Sequence, residues 1–142
     1  MSANERQVGG NHYKGEYQHW DFVTNINLGY LPAQVTKYLK RWRDKNGCED
    51  VQKAGHFLDK MIEVSAILIR QRPNIPVEYI NEQTIRYLNT NTITGPEASV
   101  TAILSNWTTV EDLYVARQYI TRLEFVLNGG DESSLSNPNI KE

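Results

Sequence analysis

Apolar side chains recur along this chain at the three- and four-residue intervals of a helix face. Val51, Ala54, Leu58, Met61, Ser65 and Leu68 form one such stripe, which predicts a long amphipathic helix. Leu113, Ala116, Ile120, Leu123 and Leu127 repeat the spacing near the other end. Between residues 17 and 27, Trp20, Phe22, Val23 and Ile26 suggest a shorter helix that Gly29 would end. Pro32 sits where the next helix can start, because the first turn does not need its missing N–H. That helix should run to about Arg43 and break at Asn46-Gly47.

Punctuation between the stripes fills in the rest. Glu49-Asp50 places carboxylates at the positive end of the following helix. Pro73 and Pro76 bracket a turn, and residues 77–89 read as a helix despite their β-branched content. Residues 90–96 read as a loop. Thr108-x-x-Glu111 has the form of a capping box, and Asn128-Gly129-Gly130 is a stop. The expectation is an all-α bundle of five or six helices. Residues 1–10 would be a flexible lead-in, 11–128 a single helical domain and 129–142 a disordered tail.

The two halves share a hairpin pattern. Val35-Thr36, Leu39 and Trp42 match Val100-Thr101, Leu104 and Trp107; Glu49-Asp50 and Ala54 match Glu111-Asp112 and Ala116. Val51, Leu58 and Met61 then fall in register with Leu113, Ile120 and Leu123, so 35–62 and 100–124 read as related helical hairpins. Two similar amphipathic hairpins would also give such a pattern. The differences carry more information. Lys37, Lys40 and Arg41 face Ala102, Ser105 and Asn106; Lys53 and His56 face Val115 and Gln118. Apolar positions serve a fold, whereas cations serve a ligand. The first hairpin therefore reads as the site and the second as scaffold.

Composition bounds the ligand. The chain has 142 residues, enough for one domain with a real core, and a net charge of −2. Its basic cluster is thus local, which argues against general binding to nucleic acid and suits capture of one small anion. The single cysteine, Cys48, forms no intramolecular disulfide and points to a reducing compartment. The first residues lack an apolar signal core, and no apolar run approaches membrane-spanning length. A cytoplasmic protein without a membrane partner is expected.

Lys37, Lys40, Arg41, Arg43 and Lys45 crowd one helix and its exit, with residues three and four apart on a common face. Arg41 offers a planar fork for phosphate, and Lys37 and Lys45 add point charges. Lys53 and His56 lie on the next helix; His12 and Tyr13 add hydrogen-bonding groups ahead of both. Trp20, Tyr38 or Trp42 could stack on a base, although each is equally suited to a core. A lysine-rich face is also ordinary solvated surface. No phosphate-binding loop of the GxxxxGK[ST] or GxGxxG type is present. Asp59 and Glu63, one turn apart, could hold a metal, but the further acidic pairs of a metal-dependent nucleotide hydrolase are missing. Glu49-Asp50 is more simply a helix start.

The set Asn11-His12-Tyr13, Trp20-Asp21-Phe22, Lys37-Tyr38-Leu39, Arg41, Lys45, Glu49-Asp50-Val51 and Lys53-Ala54 resembles the SaV-like family of small phage proteins. The common form there is an HY pair, then KYLxRxGxK, then EDLxKAxxYL. The resemblance covers roughly residues 8–65, and Trp42-Arg43 departs from the small pair usual after the arginine. It implies a phage origin and a nucleotide ligand. Taken with the basic and aromatic side chains above, the candidate ligand-binding residues are His12, Tyr13, Trp20, Lys37, Tyr38, Arg41, Lys45, Lys53 and His56. The family includes the nucleoside monophosphate kinase of T7-like phages, which lacks a Walker motif. Related phage proteins sequester nucleotide immune signals such as cyclic ADP-ribose derivatives.

Carboxylates are scarce for an enzyme and adequate for a binder. The leading expectation is a non-enzymatic protein that sequesters a nucleotide signal, needs no cofactor and forms a homodimer or higher homo-oligomer. The alternative is the monophosphate kinase, which would require Mg²⁺ and ATP. A helical adaptor that engages a host protein is a third reading, for which no residue speaks directly.

Overall fold

A break at Val64 decides the helix count. The computed structural model describes residues 3–5 and 16–130. After a 3₁₀ turn at Ala3–Glu5 come α1 (His19–Asn25), α2 (Tyr30–Arg41), α3 (Cys48–Glu63), α4 (Ser65–Gln71), α5 (Val77–Thr90), α6 (Gly95–Asn106) and α7 (Val110–Leu127). The described residues are thus all-helical, with seven α-helices where five or six were expected. The apolar stripe that reads as one helix is split because Val64 leaves helical geometry, with φ −107° and ψ 19°, and caps both α3 and α4. Expected flexibility in 1–10, disorder in 131–142, and the positions of His12 and Tyr13 lie outside the described residues, apart from the turn at 3–5.

Other boundaries move for identifiable reasons. Asn27, not Gly29, stops α1: it takes a positive φ of 51° while the Leu28 and Asn27 amides return to the Val23 and Thr24 carbonyls. Gly29 instead caps α2, which starts two residues before Pro32. The expected loop at 90–96 shrinks to 91–94, because α5 continues through Thr90 and α6 already holds Gly95 and Pro96 in its first turn. The capping box of α7 uses Thr109 and Asp112 in place of Thr108 and Glu111. Asp112 accepts the Thr108 and Thr109 amides at 2.9 and 3.2 Å, and these bonds hold its carboxyl below the usual carboxylate range.

The main core lies between α2, α3, α6 and α7. Val35, Leu39, Val51, Ala54, Leu58 and Met61 from the first hairpin meet Val100, Leu104, Leu113, Ala116, Ile120 and Leu123 from the second. All twelve are buried, so the matched positions of the two sequence halves share one fate. Thr36 and Thr101 match as well: each is buried and donates its hydroxyl one turn back, to Pro32 O and Glu97 O. Where α3 crosses α7, Gly55 leaves the space that the Arg117 guanidinium fills, and Arg117 Nε pairs with Asp59 at 2.8 Å.

The correspondence extends further back than the hairpins. With the same offset of 65 residues, Asn27 matches Thr92, and these are the two non-glycine residues with positive φ among those described, at 51° and 53°. The Thr92 and Ile93 amides return to Asn89 and Leu88 as their counterparts do at the end of α1. Phe22 matches Tyr87, and the two rings stack on each other in a second, smaller core with Tyr17, Ile26 and Ile80. Each half is therefore a three-helix unit, α1–α3 and α5–α7, with α4 between them.

Candidate functional site

Tyr38 collects the cations. It projects from the middle of α2 and stacks on Phe57 of α3, with centroids 5.9 Å apart and planes 11° apart. Tyr30 meets the same Phe57 edge-on at 6.2 Å. Lys37 Nζ lies 4.7 Å from the Tyr38 centroid, Arg41 Cζ 5.4 Å and Lys53 Nζ 5.4 Å. Helical spacing explains Lys37 and Arg41, which flank Tyr38 at its neighbour and one turn on. Lys53 arrives from α3 through tertiary packing. The electron-rich ring face offsets part of the mutual repulsion of three cations, so they can stand together before any anion arrives.

The three are not equally available. Arg41 Nε lies 3.4 Å from Asp50 Oδ2, a charge contact without hydrogen-bond geometry. Asp50 is wholly buried and also accepts the Asn46 amide at 3.1 Å. Arg41 therefore has a structural task. Lys53 has only a loose contact with Glu49 at 3.8 Å, exposed on both sides and of small energetic weight. Lys37 has no acidic partner among the described residues.

The remaining sequence candidates scatter. Lys45 is exposed in the α2–α3 turn and His56 is exposed on α3 beside Phe57; neither has a polar partner among the described residues. Trp20 is half exposed on α1, where its indole N–H donates to Asn4 Oδ1 at 2.6 Å, away from the Tyr38 group. Trp42 is core, 8% exposed, and donates to Glu97. The structure thus joins Lys37, Tyr38, Arg41 and Lys53, with Phe57 and Tyr30 as the aromatic floor. Phe57 could have been found from its place one turn after Lys53.

His19 went unnoticed in the sequence. Its Nε2 lies 2.8 Å from Thr36 Oγ1, whose own hydrogen goes to Pro32 O. Burial first, then Lys37 and Lys40, push the His19 pKa down to about 4. His19 is neutral at pH 7 and adds no charge to the basic face.

Among the described residues no cluster of three or more histidine, cysteine or acidic side chains is arranged to hold a metal, and no helix is long and apolar enough to cross a membrane. No family model, curated protein or solved structure matches this chain.

Proposed function

We propose that this protein binds a phosphorylated nucleotide on the face centred on Tyr38 and retains it without turnover. The observation that carries the reading is the convergence of Lys37, Arg41 and Lys53 on one aromatic ring from two helices. Paired lysines and a guanidinium provide charge-assisted donors to phosphate oxygens. Arg41, held by Asp50, presents a preorganised part of that set, which lowers the ordering cost of binding. Tyr30, 68% exposed at the edge of the aromatic row, is available to stack on a base.

The resemblance of residues 8–65 to the SaV-like phage proteins supplies the biological setting. On that basis the ligand is a nucleotide immune signal of the cyclic ADP-ribose type or a relative, captured in the host cytoplasm to block defence. A homodimer would bring two such faces into one particle. Exposed Tyr114, Val115 and Phe125 on α7 offer apolar surface for self-association.

Incubation with a panel of nucleotides, followed by heat release and mass spectrometry, tests the reading. Recovery of intact ligand supports it. Conversion of a nucleoside monophosphate to a diphosphate with ATP and Mg²⁺ would replace it with the kinase reading, and absence of any nucleotide binding would end both.

A further inference from the structure

The two halves of the chain build two related pockets, and comparing them exposes a missing charge. Each lies where the loop entering one middle helix meets the end of the other. The first is bounded by residues 27–32 and by Leu104, Ser105 and Trp107; the second by residues 91–94, Glu97, Leu39 and Lys40. In each junction an arginine covers the repeat-related tryptophan. Arg43 lies over Trp42 at 4.2 Å, and Arg72, from the segment after α4, lies over Trp107 at 5.3 Å.

Their partners differ. Arg43 Nη2 pairs with Glu97 Oε2 at 3.0 Å, and Glu97 is itself buried. The residue matching Glu97 in the first half is Pro32, which has no charge to give. Arg72 consequently has no acidic partner among the described residues, although it lines the first pocket and is partly buried. Its desolvation shows in a lowered pKa. A guanidinium partly withdrawn from water without a counter-ion is disfavoured, and an anion entering the pocket would relieve that cost.

We propose that the first pocket binds a small organic carboxylate with an apolar body, its anionic head on Arg72. The cavity of about 310 Å³ is within the range of small-molecule sites. Its walls carry Ile26, Leu31, Met61, Leu68 and Leu104, surfaces that suit a hydrocarbon or a ring. Arg72 supplies the fork that a carboxylate fills bidentately. The ligand head would thus take the place that Glu97 fills in the related junction. The site shares Tyr30 with the aromatic row of the Tyr38 face, but its anion-binding group, Arg72, stands apart from Lys37, Arg41 and Lys53, so the proposal does not depend on nucleotide binding there.

Calorimetric titration of the full chain with hexanoate, octanoate and 4-phenylbutyrate tests the proposal, alongside the neutral 4-phenylbutyramide. Saturable binding of at least one acid is expected, with 4-phenylbutyrate at least tenfold tighter than its amide. Backbone amide shifts should cluster at 27–31 and 104–107. Arg72→Gln should weaken the acid at least tenfold, whereas the exposed Arg70→Gln, which removes the same charge nearby, should bind as wild type. The comparison of acid with amide needs no variant, so misfolding of Arg72→Gln would not spare the idea. No saturable binding by any acid, equal affinity for the amide, or shifts elsewhere would overturn it.

Discussion

Phe22 and Tyr87 stack face to face, with centroids 4.5 Å apart and planes 6° apart, and they hold the same position in the two halves of the chain. The contact joins α1 to α5 and so holds the two three-helix units together at their first helices. One atom in the pair is out of place: the Tyr87 hydroxyl is buried without a hydrogen-bond partner among the described residues. Its burial also pushes the phenol pKa up, so it stays neutral. Replacing it with phenylalanine would keep the stack and remove the desolvated oxygen. Tyr87→Phe should stabilise the protein by about 1 kcal/mol, read as a higher urea midpoint with unchanged slope. A loss of stability would mean that the hydroxyl has a partner.

The matched turns are unequal in strain. Asn27 tolerates the left-handed region, but β-branched Thr92 at φ 53° does so poorly. Thr92→Gly should raise stability by about 1 kcal/mol, and Asn27→Gly should change it by less than half that. Chemical denaturation of the two variants against wild type measures the difference. Equal effects would show that backbone strain at residue 92 is not what separates the turns.

Arg41 is expected to matter twice. Because Asp50 is fully buried beside it, Arg41→Ala leaves an uncompensated carboxylate and should cost about 3 kcal/mol. Asp50→Asn, which can still accept the Asn46 amide, should cost less. Thermal melts separate the two. Identical melts of Arg41→Ala and wild type would show the pair to be energetically idle.

Lys37 and Lys53 give the cleaner test of the nucleotide face, since neither has a buried partner. Lys37→Ala and Lys53→Ala should each lower nucleotide affinity roughly tenfold, the equivalent of about 1.4 kcal/mol, with melting temperature unchanged. Asn106→Ala, the counterpart of Arg41, should stay within about threefold of wild type. Titration by calorimetry decides. Wild-type affinity in both lysine variants would remove the Tyr38 face from the proposal.

The acid sensitivity of the fold should have a histidine component. Unfolded His19 takes its proton near pH 6.5, whereas the folded protein holds its pKa to about 4. Between those values the unfolded chain binds more protons. The contribution is full above pH 6.5 and falls away as pH drops toward 4, by an amount on the order of 3 kcal/mol. Asp112, with its lowered pKa, adds its own loss only at lower pH, as it becomes protonated. Stability measured from pH 7.5 to 4 should therefore slope less steeply in His19→Gln. Parallel curves would place the proton elsewhere.

Helical type, the two long apolar stripes and the core positions shared by Val35, Leu39, Val51 and Leu58 with their later counterparts were legible in the sequence. Apolar spacing is local information, and a buried face has to repeat every three or four residues wherever it lies. Lys37 and Arg41 beside Tyr38 were legible for the same reason. What tertiary structure decided were the meetings between elements. Lys53 reaches Tyr38 only because α3 packs on α2, and Trp20 misses it because α1 packs on α5. The wider repeat was hidden, since α1 has seven residues and α5 fourteen, and only the matched positive-φ turns and the Phe22–Tyr87 stack reveal it. Whether a charge is free was also beyond the sequence. Arg41 and Arg72 look alike there, and burial beside Asp50 or beside Trp107 gives one a partner and leaves the other without an acid, because desolvation and ion pairing depend on distances that only packing sets.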